Sequence, residues 1–172
     1  MPVRLAPLTL DHARVIGGWA ADPVFVAHAG WTPDLSLESY VSFQERLVHT
    51  PPADSHRLAV LCSEDCVGTV DLHGLDKDRR ELGYVIGPSS RWGQGLGTAA
   101  ARAGLAHGFR GLGLEEIWAE AVEPNRASVA ILERLGMRRT GLGGEENFLG
   151  ERARFVQYAI TRDEWEATRT AR

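Results

Sequence analysis

Arg91-Trp92-Gly93-Gln94-Gly95-Leu96-Gly97-Thr98 is the stretch on which the reading of this chain turns. Three glycines alternate with other residues, and the Ala99-Ala100-Ala101-Arg102-Ala103 run that follows is strongly helix-prone. Just upstream, Glu81-Leu82-Gly83-Tyr84-Val85-Ile86 reads as a strand. A strand, a glycine loop and a helix start together make a seat for a phosphate group. The loop leaves backbone N–H groups unshielded, and the helix N-terminus adds partial positive charge. The chain is therefore read as one that uses a nucleotide or a related cofactor. Gly95-Leu96-Gly97-Thr98-Ala99-Ala100 fits G-x-G-x-x-A, but several residues separate strand from glycines, and Glu115-Glu116 begin the next strand rather than end it, against the dinucleotide pattern. No Gly-Lys-Ser/Thr follows, which excludes a kinase-type P-loop. A glycine turn without any ligand stays open on this segment alone.

The surrounding composition narrows the class. A chain of 172 residues predicts one domain, spanning 1–172, with a real core. Hydrophobic residues make up 44% and charged residues 24%, as in globular proteins. A net charge of −4 argues against non-specific nucleic-acid binding, which needs a basic footprint. No apolar run approaches the roughly 18 residues of a membrane span. Met1-Pro2-Val3-Arg4 carries no apolar signal-peptide core, and the expected location is the cytoplasm. Cys62 and Cys66 flank an apparent turn at Glu64-Asp65; they are expected to be reduced, and no Cys/His spacing suggests a metal.

Residues 3–8 read as a first strand, and Thr9 as the cap of a helix to about Ala21. Asp22-Pro23 is expected to break it, leaving 24–35 as loop. Ser36 can cap a second helix that ends at Pro51-Pro52. Residues 56–62, 66–72 and 80–87 read as three strands. After the glycine loop, a helix from Thr98 to Arg110 carries Ala101, Leu105 and Phe109 at i, i+4 spacing. Residues 117–122 are a strand, 126–135 a helix capped by Asn125, and 137–142 a further strand. A turn at Gly150-Glu151 divides two extended pieces, and Thr161-Arg162-Asp163-Glu164 has capping-box spacing for a final helix. This order predicts an α+β fold with a mixed sheet.

A second segment, Glu123-Pro124-Asn125-Arg126-Ala127-Ser128, places Asn125 and Ser128 at i, i+3 across a helix start, where both can face one groove or simply cap the helix. With Glu81-Leu82-Gly83-Tyr84, the Trp92–Thr98 loop and Leu135-Gly136-Met137, the chain resembles the GCN5-related N-acetyltransferase (GNAT) superfamily. Trp92 and the ending Thr161-Arg162-Asp163-Glu164-Trp165 resemble its ribosomal-protein N-terminal acetyltransferase branch. Ala99 departs from the acidic residue common there, a change that leaves the backbone N–H groups intact.

The resemblance implies a mostly antiparallel sheet of about seven strands, with helices on both faces and a splayed parallel pair. It implies acetyl-CoA as cosubstrate, no metal, and direct acetyl transfer to a primary amine. By the same likeness Tyr84, Val85, Ile86 and Gly87 would pair with the pantetheine arm. Trp92, Gly93, Gln94, Gly95, Leu96, Gly97 and Thr98 would hold the pyrophosphate, with Asn125 and Ser128 completing the cofactor site. Arg91, Arg126 and Arg134 are candidates for the CoA phosphates. Ser128 is the candidate acid for the leaving thiolate, and Glu81, Glu120 and Glu146 are the candidate bases. His28, Trp31 and Tyr40, with Asp34, are candidates to line the acceptor entry. The acceptor is a small-molecule or peptide amine, and a homodimer is compatible with the sequence. The rival readings are a catalytically inactive CoA-binding regulatory module and a Rossmann oxidoreductase, the latter opposed by the misplaced acid.

Overall fold

The computed structural model describes residues 2–170. Strand β1 (Arg4–Pro7) leads into helix α1 (Leu10–Gly18). The Thr9 hydroxyl accepts the His12 N–H at 3.2 Å, and His12 Nδ1 accepts the Thr9 N–H at 3.3 Å, a capping box with histidine in the acid's place. A 3-10 turn (Trp19–Ala21) then leads to helix α2 (Pro23–His28). This corrects the expected loop: Asp22-Pro23 starts a helix as well as ending one. Asp22 Oδ1 accepts the N–H groups of Val24 and Phe25 at 3.0 and 3.2 Å, and Pro23, at the first helical turn, has no N–H to leave unpaired. Helix α3 (Leu37–His49) begins at Ser36, whose Oγ accepts the Ser39 N–H.

Strands β2 (Ser55–Cys62), β3 (Asp65–His73) and β4 (Arg79–Ile86) follow as an antiparallel meander. Helix α4 (Leu96–Ala106) widens into a π turn (His107–Gly111) before β5 (Glu116–Val122). Helix α5 (Arg126–Arg134), the hairpin β6 (Arg138–Phe148) and β7 (Glu151–Thr161), and helix α6 (Arg162–Thr170) complete the order. The α6 capping box forms: Thr161 Oγ1 accepts the Glu164 N–H, and Glu164 Oε2 accepts the Thr161 N–H. β6 runs past Leu142 to Phe148. Its Gly143-Gly144-Glu145-Glu146 segment has little strand propensity. Pairing with β7 imposes the extension, supported by Arg152 on Glu145 at 2.6 Å.

The seven strands form one sheet in the order β1-β2-β3-β4-β5-β7-β6, and only β4 and β5 run parallel. This is the expected α+β architecture. One face buries a cluster that includes Val70, Leu72, Leu82, Leu105, Phe109, Ile117 and Ile160 under α4, α5 and α6. A second cluster holds Ile16, Trp19, Phe25, Val26, Ala59 and Leu61, from α1, α2 and the first strands. Both cysteines are free, and burial pushes the Cys66 thiol up from its ordinary range. Among the described residues no helix is long and apolar enough to cross a membrane.

β3 and β4 approach closely at Gly68, where any Cβ would collide with the Val85 carbonyl oxygen and with Ile86 Cδ1 at 2.7 Å. Gly68→Ala is expected to destabilise the protein by about 2 kcal/mol, the scale of an overpacked core. Urea unfolding measures it, and an unchanged midpoint would contradict this account.

Candidate active site

β4 and β5 pair over only three residue pairs, Arg79↔Glu116, Arg80↔Ile117 and Glu81↔Trp118. Beyond them β4 continues to Ile86 against β3, and β5 continues to Val122 against β7. The strands therefore part, leaving a gap with a strand edge exposed in it. The Gly87 N–H donates to the Val67 carbonyl at 3.1 Å, so alternation turns the polar groups of Val85 and Gly83 toward β3 and those of Tyr84 and Ile86 toward the gap. The Trp92 indole N–H donates to the Ile86 carbonyl at 2.8 Å. The Tyr84 N–H and C=O and the Ile86 N–H are the edge groups left for a ligand.

The loop between β4 and α4 sits at the end of this gap. Gly93 and Gly95 have φ of +75° and +79°, the left-handed region that glycine adopts without strain. No atom lies within 4 Å of a Cβ built at either. Conformation, not crowding, requires glycine here, and the space beside the backbone stays open. α4 begins at Gly95 with no side-chain cap, so its first-turn N–H groups have no side-chain acceptor. Donors without acceptors at the positive end of a helix favour an anion.

A cavity of 520 Å³ joins these parts. Tyr84, Val85 and Ile86 form one wall, Trp92, Gly93 and Gly97 another, and Asn125, Arg126 and Ser128 a third. The Tyr84 and Ser128 hydroxyls are hydrogen-bonded at 3.0 Å. Burial pushes the Tyr84 phenol up to about 12, against the opposing effect of the Ser128 hydrogen bond, so it remains a proton donor at neutral pH. Asn125 Oδ1 accepts the Ser128 N–H at 3.2 Å, so the side-chain carbonyl caps α5.

The sequence profile described as the acetyltransferase (GNAT) domain matches residues 3–138. The chain belongs to the GNAT family of N-acetyltransferases. YdaF of Bacillus subtilis, provisionally named a ribosomal N-acetyltransferase, is 27% identical over 166 residues, covering 95% of this chain and 87% of YdaF. The spermidine N-acetyltransferase of Vibrio cholerae, solved with CoA and spermine, superposes with a TM-score of 0.79 at 18% identity, over 95% of this chain and 98% of that one. A GNAT-family acetyltransferase of Bacillus anthracis gives 0.78 at 20% identity, over 95% and 96%. At these identities the solved structures establish a shared fold.

Within this GNAT domain the sequence candidates fall into separate groups. Tyr84, Val85, Ile86, Trp92, Gly93, Leu96, Gly97, Asn125, Ser128 and His28 line the one cavity. Gly95 and Thr98 flank it at the start of α4, and Gln94 is exposed, its Nε2 bonded to the Ser90 carbonyl. Gly87 lies against the Trp19 ring, 2.5 Å from where its Cβ would be. Glu81 and Glu120 alternate with the buried Leu82, Ala119 and Ala121, and so stand on the other face of the sheet. Burial, and then the nearby Glu120 carboxylate, raise the Glu81 pKa above its ordinary value, with His73 opposing. Glu120 Oε2 accepts a hydrogen bond from Gln157 at 3.1 Å. Glu146 is exposed on β6, its carboxylate accepting the Asn147 N–H.

Trp31 and Tyr40 are not brought to this cavity. They stack at 5.6 Å and line a separate depression with Gln44, while the Tyr40 hydroxyl donates to the Thr32 carbonyl. Aromatic residues in a loop and on a helix do not reveal from spacing which neighbour they will pack on. Asp34 is exposed, with φ of 61°. Arg91 and Arg126 line the cavity, whereas Arg134 lies in a different groove beside Trp165.

Three contributors escaped the sequence reading. Asp22 Oδ2 accepts the Ser89 N–H at 2.8 Å, tying α2 to the turn before the glycine loop, and the Ser89 hydrogen bonds lower its pKa. Phe148 and Leu149, at the tip of the β6–β7 hairpin, reach the cavity from far along the chain. The Asp-Pro pair was the available signal for the first, since it is also a helix-start signature. No local signal marks the hairpin tip.

Proposed function

We propose that this chain transfers the acetyl group of acetyl-CoA directly to the primary amine of a small molecule or of a protein N-terminus. The carrying observation is one cavity that joins an unpaired strand edge, a loop of open N–H donors and a hydrogen-bonded pair of hydroxyls. An elongated amide-bearing arm suits the Tyr84 and Ile86 edge groups, as an added strand would. A pyrophosphate suits the Gly93–Thr98 backbone and the first turn of α4. Acetyl-CoA supplies an activated thioester, whose carbonyl oxygen a gap-facing N–H could polarise. In this reading Ser128 protonates the departing thiolate, supported by its cavity position and its hydrogen bond to Tyr84.

Glu81 and Glu120, on the far face of the same strands, favour an acceptor that arrives as an ammonium ion. Two nearby carboxylates repel one another, and a cation between them relieves that repulsion. YdaF supports a protein amine and the Vibrio cholerae enzyme a polyamine, and the acid pair suits either. Glu81→Gln is expected to raise the acceptor KM about ten-fold, worth ~1.4 kcal/mol, with acetyl-CoA affinity unchanged. Steady-state kinetics with a varied amine measures it, and an unchanged acceptor KM would remove the acid pair from recognition.

Calorimetric titration with acetyl-CoA tests the reading, with NADH and NADPH as controls. Binding of acetyl-CoA alone, followed by CoA release with spermidine, lysine amide or the peptide Ala-Ala-Ala, supports it. Acetyl-CoA binding without turnover of any primary amine would favour the regulatory module, and no binding would overturn both.

A further inference from the structure

His28 is the last residue of α2, and rings from two other elements meet its imidazole. The Trp92 ring lies edge-on at 5.1 Å and the Phe148 ring at 5.6 Å, so the imidazole is clamped between the glycine loop and the tip of the β6–β7 hairpin. It lines the cavity that holds Tyr84 and Ser128. His28 Nδ1 lies 2.9 Å from the Val24 carbonyl oxygen. A carbonyl can only accept, so Nδ1 carries the proton, and in the neutral ring Nε2 holds a lone pair. Nε2 has no hydrogen-bond partner among the described residues.

The other titratable groups around this cavity cannot serve as bases near neutral pH. Tyr84 stays protonated, and Arg91 and Arg126 are permanent cations. Glu81 and Glu120 are not among the residues that line the cavity. Asp22, at the start of α2, is committed to the Val24, Phe25 and Ser89 N–H groups. The hairpin tip offers Asn147, Phe148 and Leu149, none of which titrates.

Resting on the acetyl-transfer reading above, we propose that His28 is the catalytic base that deprotonates the acceptor ammonium. Nε2 takes one proton from R–NH3+, and the freed lone pair forms the bond to the thioester carbonyl carbon. The C–S bond then breaks with its electron pair on sulfur. The second amine proton is relayed through the Ser128 hydroxyl to the thiolate. The products are the acetamide, CoA thiol and a His28 imidazolium that returns its proton to water. The Val24 carbonyl keeps Nδ1–H in place throughout.

The full-length protein allows two independent tests. Nitrogen-15 NMR of the neutral His28 ring should show the Nδ1–H tautomer, and a predominant Nε2–H tautomer overturns the proposal with or without turnover. His28→Ala should lower kcat on the order of 100-fold with the best amine of the panel above. Acetyl-CoA affinity should not change, and free imidazole should restore the rate. His28→Gln should lose the acid limb of the kcat/KM profile against pH. A variant with wild-type kcat, or with a lost rate that imidazole leaves unrestored, overturns the base. Failure of the wild-type protein to bind acetyl-CoA would instead remove the transfer reading itself, an outcome that calorimetry separates from the others.

Discussion

Gly95→Asp is expected to weaken acetyl-CoA binding by about 100-fold while leaving the protein folded. The backbone at Gly95 has φ of +79°, and no atom lies within 4 Å of a Cβ built there, so a side chain meets no steric obstacle. Aspartate is among the few residues that tolerate the left-handed region. It is also a preferred residue immediately before a helix, and α4 at present has no side-chain cap. The new carboxylate would offset its backbone strain by accepting the first-turn N–H groups of α4. Those same donors are the ones assigned to the pyrophosphate. The substitution therefore fills the anion seat with an anion attached to the chain. Loss of two hydrogen bonds to a charged group, at about 1.5 kcal/mol each, corresponds to roughly 100-fold in Kd. Gly95→Ala separates the causes, since it carries the strain without the charge. Calorimetry on both variants, with thermal unfolding alongside, checks the argument. Full affinity in a folded Gly95→Asp protein would mean that the loop holds no phosphate.

Ser128→Ala is expected to lower kcat on the order of 100-fold, the usual contribution of a positioned acid, and to lower turnover more than acetyl-CoA affinity. In the proposed transfer the Tyr84 hydroxyl, 3.0 Å from Ser128, acts through it, so Tyr84→Phe should lower kcat less. The double variant should then match Ser128→Ala alone, because a relay fails once its terminal member is gone. Additive losses would place the two hydroxyls in separate roles. The phenol also leaves a signature in stability. Its folded-state pKa is about 12 against an ordinary 10, so the folded protein holds this proton more tightly than the unfolded chain. That contribution is fully present below pH 10 and is lost as pH rises toward 12. Urea midpoints should therefore fall across this window in the wild type, and Tyr84→Phe should remove that part of the fall.

Much of the site could be read along the chain because its chemistry is local. The glycines of the 93–97 loop adjoin a strand and a helix start, and Asn125 and Ser128 share one helical turn. Cap residues at Thr9, Ser36, Asn125 and Thr161 satisfy donors a few positions away, which is why these boundaries were legible. α2 was not legible, because Asp-Pro signals the end of one helix and the start of another with the same residues. The far half of β6 was not legible either, since its strand conformation comes from pairing with β7 and not from its glycines and glutamates.

Sequence alone determined the α+β fold class from the order of its elements, and the glycine loop at the head of α4 and the hydroxyl at the head of α5 from contacts within a few residues. Tertiary structure decided which distant groups share a cavity. It put Tyr84 against Ser128, forty-four positions apart. It set Glu81 and Glu120 on the face of the sheet opposite Leu82, Ala119 and Ala121, and sent Trp31 and Tyr40 to a separate depression. It clamped His28 between Trp92 and Phe148, rings from two other elements. The parting of β4 from β5 is a property of the whole sheet, because each strand follows its outer partner where the inner pairing stops. Strand alternation then sorts side chains between the two faces, and only the assembled sheet reveals what each face meets.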